Sequence, residues 1–277
     1  MNGRFILIAG SASKDCSPDT LDLAIGFVQS FTREILDRGG GVVVLAGDEE
    51  GTKDDRGTPH IFDWVVLREV ERYAERTTKP PRIYVRIVMS DTAEERKIED
   101  ANLQVLRNLV QRNVANLQYI QSHLFTGGEY RNRQVEISDA MLAIGGGKGT
   151  YSTAEEMIGR EKPVFPVDLP LGALSDDGNG AVLLHQEMAS DPESFFPFTY
   201  DDAIHKLSLT KLSRGINEAD GAARVAVEMF ESEFDAHPRD GLRARTTSRL
   251  RALAVVAPLF SAMSLILKGF EFFRSDS

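Results

Sequence analysis

The 277-residue chain predicts an α/β protein built on a doubly wound, mostly parallel sheet. Three observations carry this. Short β-rich runs alternate with longer amphipathic ones. Several of the short runs are apolar throughout, as strands covered on both faces are. Glycine-rich turns follow those runs, where the strands of such a sheet hand over to helices. With 42% apolar residues the chain can also bury a substantial core.

Phe5 to Ala9 is the first strand, ended by Gly10-Ser11. Pro18-Asp19-Thr20 opens a helix in which Ala24, Phe27, Val28, Phe31 and Ile35 recur at three- and four-residue steps until Gly39-Gly40-Gly41 stops it. Val42 to Ala46 is the second strand, and a polar loop leads to a helix from about Ile61 to Arg76. Arg82 to Met89 forms the third strand after the Pro80-Pro81 break, with a helix near Ala93 to Arg112 behind it. Leu117 to Gln121 is a weaker fourth strand, Ala140 to Ile144 the fifth and Val164 to Val167 the sixth. Parallel neighbours need crossovers, and the intervening helices supply them with the usual right hand. The sum is a Rossmann-like domain over residues 1–205, followed by a helical C-terminal region over 206–277.

Composition removes several function classes. Lys and Arg total 32 against 42 Asp and Glu, a formal charge of −10, which opposes non-specific attraction to duplex nucleic acid or anionic lipid. Cys16 is the sole cysteine, so no intrachain disulfide or multi-cysteine metal site forms, as suits a reducing, cytoplasmic setting. The 5 histidines show neither HExxH nor paired spacing, so no metal is expected. The opening MNGRFILIAGS has too short an apolar run for a signal peptide and reads as a strand.

The stretch that promises chemistry is IGGGKGTYSTAEE, Ile144 to Glu156. It follows the fifth strand, at the sheet edge where ligands of such folds bind. Gly145, Gly146, Gly147 and Gly149 would let backbone approach a ligand, while the amides of the helix start, Lys148 and the Thr150 hydroxyl suit a phosphate or carboxylate. A tight turn alone would explain one or two of these glycines. A Walker A loop fails here because Gly149 follows Lys148, and a GxGxxG fingerprint from Gly145 fails because Thr150 stands at its last position.

GGGKGT, the upstream RNRQVEISDAMLAI, the downstream GREKPVFPV and the opening ILIAGSAS together resemble the SLOG superfamily over residues 4–205, most strongly over 127–168. In its LOG phosphoribohydrolase branch the loop reads PGGxGTxxE, and the resemblance assigns glycosidic cleavage to that glutamate with an upstream arginine. Here Gly145 stands for the proline and Thr153 for the glutamate, while Glu156 follows three residues on, one helical step along the same side. The GGGKGT form is closer to the STALD nucleotide-sensing domain of Thoeris antiphage effectors. That likeness implies an adenine-nucleotide signal derived from NAD, such as a cyclic ADP-ribose, bound in a dimer or tetramer, with no cofactor required. The implied ligand contacts are Gly10, Ser11 and Ser13 after the first strand, Arg131 and Arg133 on the upstream helix, Gly145 to Thr150, and Glu156 toward a ribose hydroxyl. Guanidinium groups match paired phosphate oxygens, although either arginine alone also fits an ordinary solvated helix face. Thr126 and Tyr130 would border the cleft, and Asp176-Asp177-Gly178-Asn179-Gly180 reads as an acidic turn that could also close over a ligand or hold a cation.

Near the C-terminus, 16 uncharged residues from Ala252 to Leu267 follow Arg243, Arg245, Arg249 and Arg251. As a helix they would span about 24 Å against a hydrocarbon core of about 30 Å, between a helix buried in an assembly and a membrane-inserting segment acting on activation. Three functions stay open: a non-enzymatic nucleotide sensor, which the motif favours; a nucleotide N-glycosidase using Glu156 and releasing free base; and a partner-binding subunit that keeps the loop as scaffold.

Overall fold

Residues 1–46, 53–92, 98–121, 128–172, 178–207, 210, 212 and 216–236 are described by the structure, a computed structural model. The apolar run at the start forms β1 (Phe5–Ala9), with Ile6, Leu7 and Ile8 buried at the centre of the sheet. α1 (Pro18–Asp37) then begins as the sequence dictates: Pro18 occupies its first turn and the Ser17 hydroxyl accepts from the Thr20 amide at 3.2 Å. β2 (Gly41–Ala46), α2 (Asp63–Arg76), β3 (Val85–Ser90), α3 (Asp100–Gln111) and β4 (Ala115–Ile120) carry the chain outward in steps. α4 (Glu129–Ile137) returns it across the sheet to β5 (Ala140–Ala143), and α5 (Lys148–Gly159) leads to β6 (Val164–Pro166). The six strands are all parallel, in the order β4-β3-β2-β1-β5-β6.

That order follows from handedness. Right-handed crossovers lay α1, α2 and α3 on one face, where each packs on the next, and the return to β5 puts α4 and α5 on the other, with α4 resting on β2 and β3. The order in which strands are added therefore reverses about β1, which has β2 on one side and β5 on the other. This is the switch point at which a crevice opens beyond the carboxyl ends.

Four helices follow the sheet: α6 (Gly180–Ser190), α7 (Pro192–Phe195), α8 (Tyr200–Leu207) and α9 (Ile216–Ala236). The chain divides into a compact unit, Met1–Glu233, and a second beginning at Phe234. Most of α9 thus shares a core with the sheet: the fully buried Phe230 ring lies 6.2 Å from Phe31, 6.5 Å from Phe165 and 5.9 Å from Phe196. No helix among the described residues is long and apolar enough to cross a membrane. The run Ala252 to Leu267 lies outside the described residues.

Candidate functional site

At the switch point a cavity of about 240 Å³ is lined by Ala9, Gly10 and Ser11 after β1, Leu45 at the end of β2, and Ile61 and Asp63 where α2 begins. Tyr130, Arg131 and Gln134 of α4 and Gly149, Thr150 and Thr153 of α5 complete it. α5 starts at the N-cap Gly147 with no side chain capping it, so its first-turn amides and positive dipole end are open to an anion. Arg131 reaches across toward Gly149, where a Cβ would stand 3.2 Å from its Nη2. Its guanidinium lies 5.3 Å from the centre of the Tyr130 ring, and among the described residues no carboxylate pairs with it.

The triple glycine does not line this cavity. Gly145 and Gly146 are buried, and they knit three loops together. The Gly146 amide donates to Ser11 O at 2.7 Å, Gly178 and Gly180 donate to Gly146 O at 2.9 and 2.8 Å, and Ala181 donates to Gly145 O at 2.9 Å. Gly146 needs its missing side chain twice over: its φ is +68°, and a Cβ would fall 2.0 Å from the Thr150 hydroxyl. Gly10, at φ +146°, passes so close to β5 that a Cβ would meet Ile144 O at 1.8 Å. The described parts of the loops after β1, β5 and β6 are therefore tied into one rim, and the cavity lies beside it.

Asp63 is the feature that sequence reading missed. β1 stays in register with β2 only as far as Leu7 and Val43, so the Leu45 amide lies beyond that ladder. The Asp63 carboxylate takes this amide at 2.9 Å. The segment is held there by a bridge between Ser11 and Ile61 and by the Ala12 amide donating to His60 O at 2.8 Å. Asp63 is partly exposed, through the cavity it lines, yet densely surrounded. Burial pushes its carboxyl from 3.8 up to about 7, against the lowering effect of the Leu45 amide and its own. In sequence it is one acidic residue at a helix start, a common first-turn preference that carries no hint of this environment.

Of the contacts expected from sequence, Gly10, Ser11, Arg131, Gly149 and Thr150 line the cavity, and Tyr130 joins them. Ser13, Arg133, Gly145, Gly146, Gly147, Lys148 and Glu156 do not. Ser13 is buried, bonding Asp15 with its hydroxyl and Leu171 O with its amide. Arg133 lies about 200° around α4 from Arg131 and holds Gln118 and Glu136 instead. Lys148 is exposed at the start of α5. Position 153 does face the cavity, but its threonine hydroxyl donates to Gly149 O at 2.8 Å. Glu156 is turned about 60° short of a full turn from it and a further ~4.5 Å toward the helix C-terminus, where it pairs with Arg160 at 2.5 Å. The carboxyl in the cavity comes from α2. Thr126, Asp176 and Asp177 lie outside the described residues, while Asn179 donates to Gly172 O at 3.1 Å. Among the described residues no cluster of His, Cys, Asp or Glu could hold a metal ion.

A family model described as "ATP nucleosidase Cap17-like, N-terminal" matches residues 1–224. Two curated proteins named ATP nucleosidase Cap17, one from Escherichia coli strain KTE188 and one from Escherichia coli, are each 34% identical over 236 residues, 85% of this chain and 46% of their own length. The chain thus spans about half the length of these relatives. Among solved structures, the molybdenum cofactor carrier protein of Chlamydomonas reinhardtii aligns over 69% of this chain and 100% of its own, at 16% identity and a TM-score of 0.33. A further structure of that carrier aligns over 68% and 99%, at 17% identity and a TM-score of 0.32. Since the family model covers most of the chain, the protein belongs to the Cap17-like N-terminal family.

Proposed function

We propose that this domain hydrolyses the N-glycosidic bond of an adenine nucleotide, ATP foremost, releasing the free base. One observation carries the reading: a single cavity brings together an arginine without a carboxylate partner among the described residues, the open first turn of α5, and a densely surrounded carboxyl group. The first two suit the phosphates, through charge and oriented amides. The third suits cleavage, in which a ribosyl centre becomes oxocarbenium-like and the departing base must be relieved of negative charge. At about 240 Å³ the cavity fits the reacting portion of a nucleotide, with the rest running out along the rim. Relatives named ATP nucleosidase supply the substrate in this reading.

This moves the balance away from the sensor of an NAD-derived signal that the loop motif favoured. The two differ in a measurable way. The full chain would be incubated with ATP, ADP, AMP, NAD and cyclic ADP-ribose, each mixture chromatographed for free base and the melting midpoint followed. The expected result is adenine from ATP, lost in Arg131→Ala. A raised midpoint with every nucleotide recovered intact would overturn cleavage in favour of sensing.

A further inference from the structure

Resting on that N-glycosidase reading, we propose that Asp63 is the catalytic proton donor to the departing base. Among the described residues that line the cavity it supplies the one carboxyl, and no cation pairs with it there. It shares the cavity with Gly10 and Ser11 after β1, Leu45 of β2, Tyr130, Arg131 and Gln134 of α4, and Gly149, Thr150 and Thr153 of α5. Of these Tyr130 and Arg131 are ionisable, and Arg131 makes no ion pair with Asp63.

The Leu45 amide fixes which oxygen does the work. An N–H can only donate, so Oδ1, 2.9 Å from Leu45 N, is held as an acceptor whether or not the group is protonated. The acid proton is placed on Oδ2, the oxygen that the Leu45 amide does not take. Seated where β2 ends and α2 begins, and tied to the segment bridged to Ser11, the carboxyl belongs to the rigid rim. Its burial keeps a large share protonated at neutral pH, which is the state a donor requires.

The step balances with water as co-reactant. The C1′–N bond breaks with its electron pair leaving on the base, and the Oδ2 proton goes to a base nitrogen. Water adds to C1′ and returns a proton to the Asp63 carboxylate, so the enzyme is restored and the products are free base and the ribose phosphate.

The test is Asp63→Asn in the full chain, with ATP as substrate. Asparagine keeps an oxygen for the Leu45 amide and has no acid proton. The expected result is a fall in kcat of at least ~100-fold with KM within about 3-fold, since a positioned acid contributes between ~100-fold and ~10,000-fold. In the unaltered protein kcat/KM, which reports the free enzyme, should decline as pH rises through about 7. Wild-type kcat in D63N, or a kcat/KM flat between about pH 6 and 8, overturns the assignment while leaving cleavage intact. No base release by the unaltered protein overturns the N-glycosidase reading, and the proposal falls with it.

Discussion

Replacing Asp63 by Asn should make the protein more stable above neutral pH, and the size of that gain follows from the site. The native carboxyl titrates near 7 against an ordinary 3.8, because burial penalises the charged form more than the Leu45 amide favours it. Between those two values the folded protein holds a proton that the unfolded chain has lost. Stability must therefore fall as pH rises from about 4 to about 7 and stay level above that. At ~1.36 kcal/mol per pH unit, the loss attributable to this one group is about 4 kcal/mol as an upper figure. Asparagine has no such proton but still accepts from Leu45. D63N should match the parent near pH 4 and exceed it by up to about 4 kcal/mol at pH 8. Urea unfolding of both proteins at several pH values measures this, because titrations common to the two cancel in the difference. Parallel stability curves, or a D63N protein less stable at pH 8, would refute the argument that an uncompensated carboxyl sits in the cavity.

Three other perturbations probe the frame around the site. Phe230→Ala empties a fully buried ring position touching Phe31, Phe165 and Phe196, and should cost about 3–5 kcal/mol in denaturant unfolding; a loss near zero would mean α9 is no part of the sheet's core. Gly10→Ala puts a Cβ 1.8 Å from Ile144 O at a φ of +146°, so backbone strain of about 1–3 kcal/mol plus the clash should lower the urea midpoint sharply. Lys162→Met keeps the apolar stem but removes the ammonium that donates to Val135 O and Ser138 O at the end of α4. The expected loss is about 1.5–3 kcal/mol with an unchanged denaturant slope, and an unchanged midpoint would deny this cation any role in anchoring the helix that carries Arg131.

The strands were legible because burial on both faces writes itself into the chain as uninterrupted apolar runs. β1 begins and ends where Phe5 to Ala9 places it, and β2 and β5 differ from expectation by one residue. β4 was faint because it is an edge strand whose side chains are mostly partly exposed. The GGGKGT loop was legible as special and less so as to why: glycines spent on close packing between loops look the same in sequence as glycines spent on a ligand. Gly145 and Gly146 went to the first purpose, Gly149 to the cavity. Arg131 and Arg133 could not be told apart before the rotation of α4 was known. Asp63 was illegible because its character comes from burial among segments distant in sequence, beside Leu45 eighteen residues earlier and where β1 and β2 part.

The formal charge of −10 sharpens what the cavity has to do. A polyanionic nucleotide approaching this protein meets a repulsive long-range field, so binding must be won locally, within about a Debye length of 8–10 Å. Under the N-glycosidase reading, Arg131 and the first turn of α5 supply the local attraction. A carboxylate in the same cavity would work against them, unless it is neutral. Protonated Asp63 meets that condition, and the arriving phosphates add negative charge that raises its proton affinity further. Under the N-glycosidase reading the group is thus charged with its proton by the substrate it is about to protonate, and the burial that destabilises the empty fold is what prepares it.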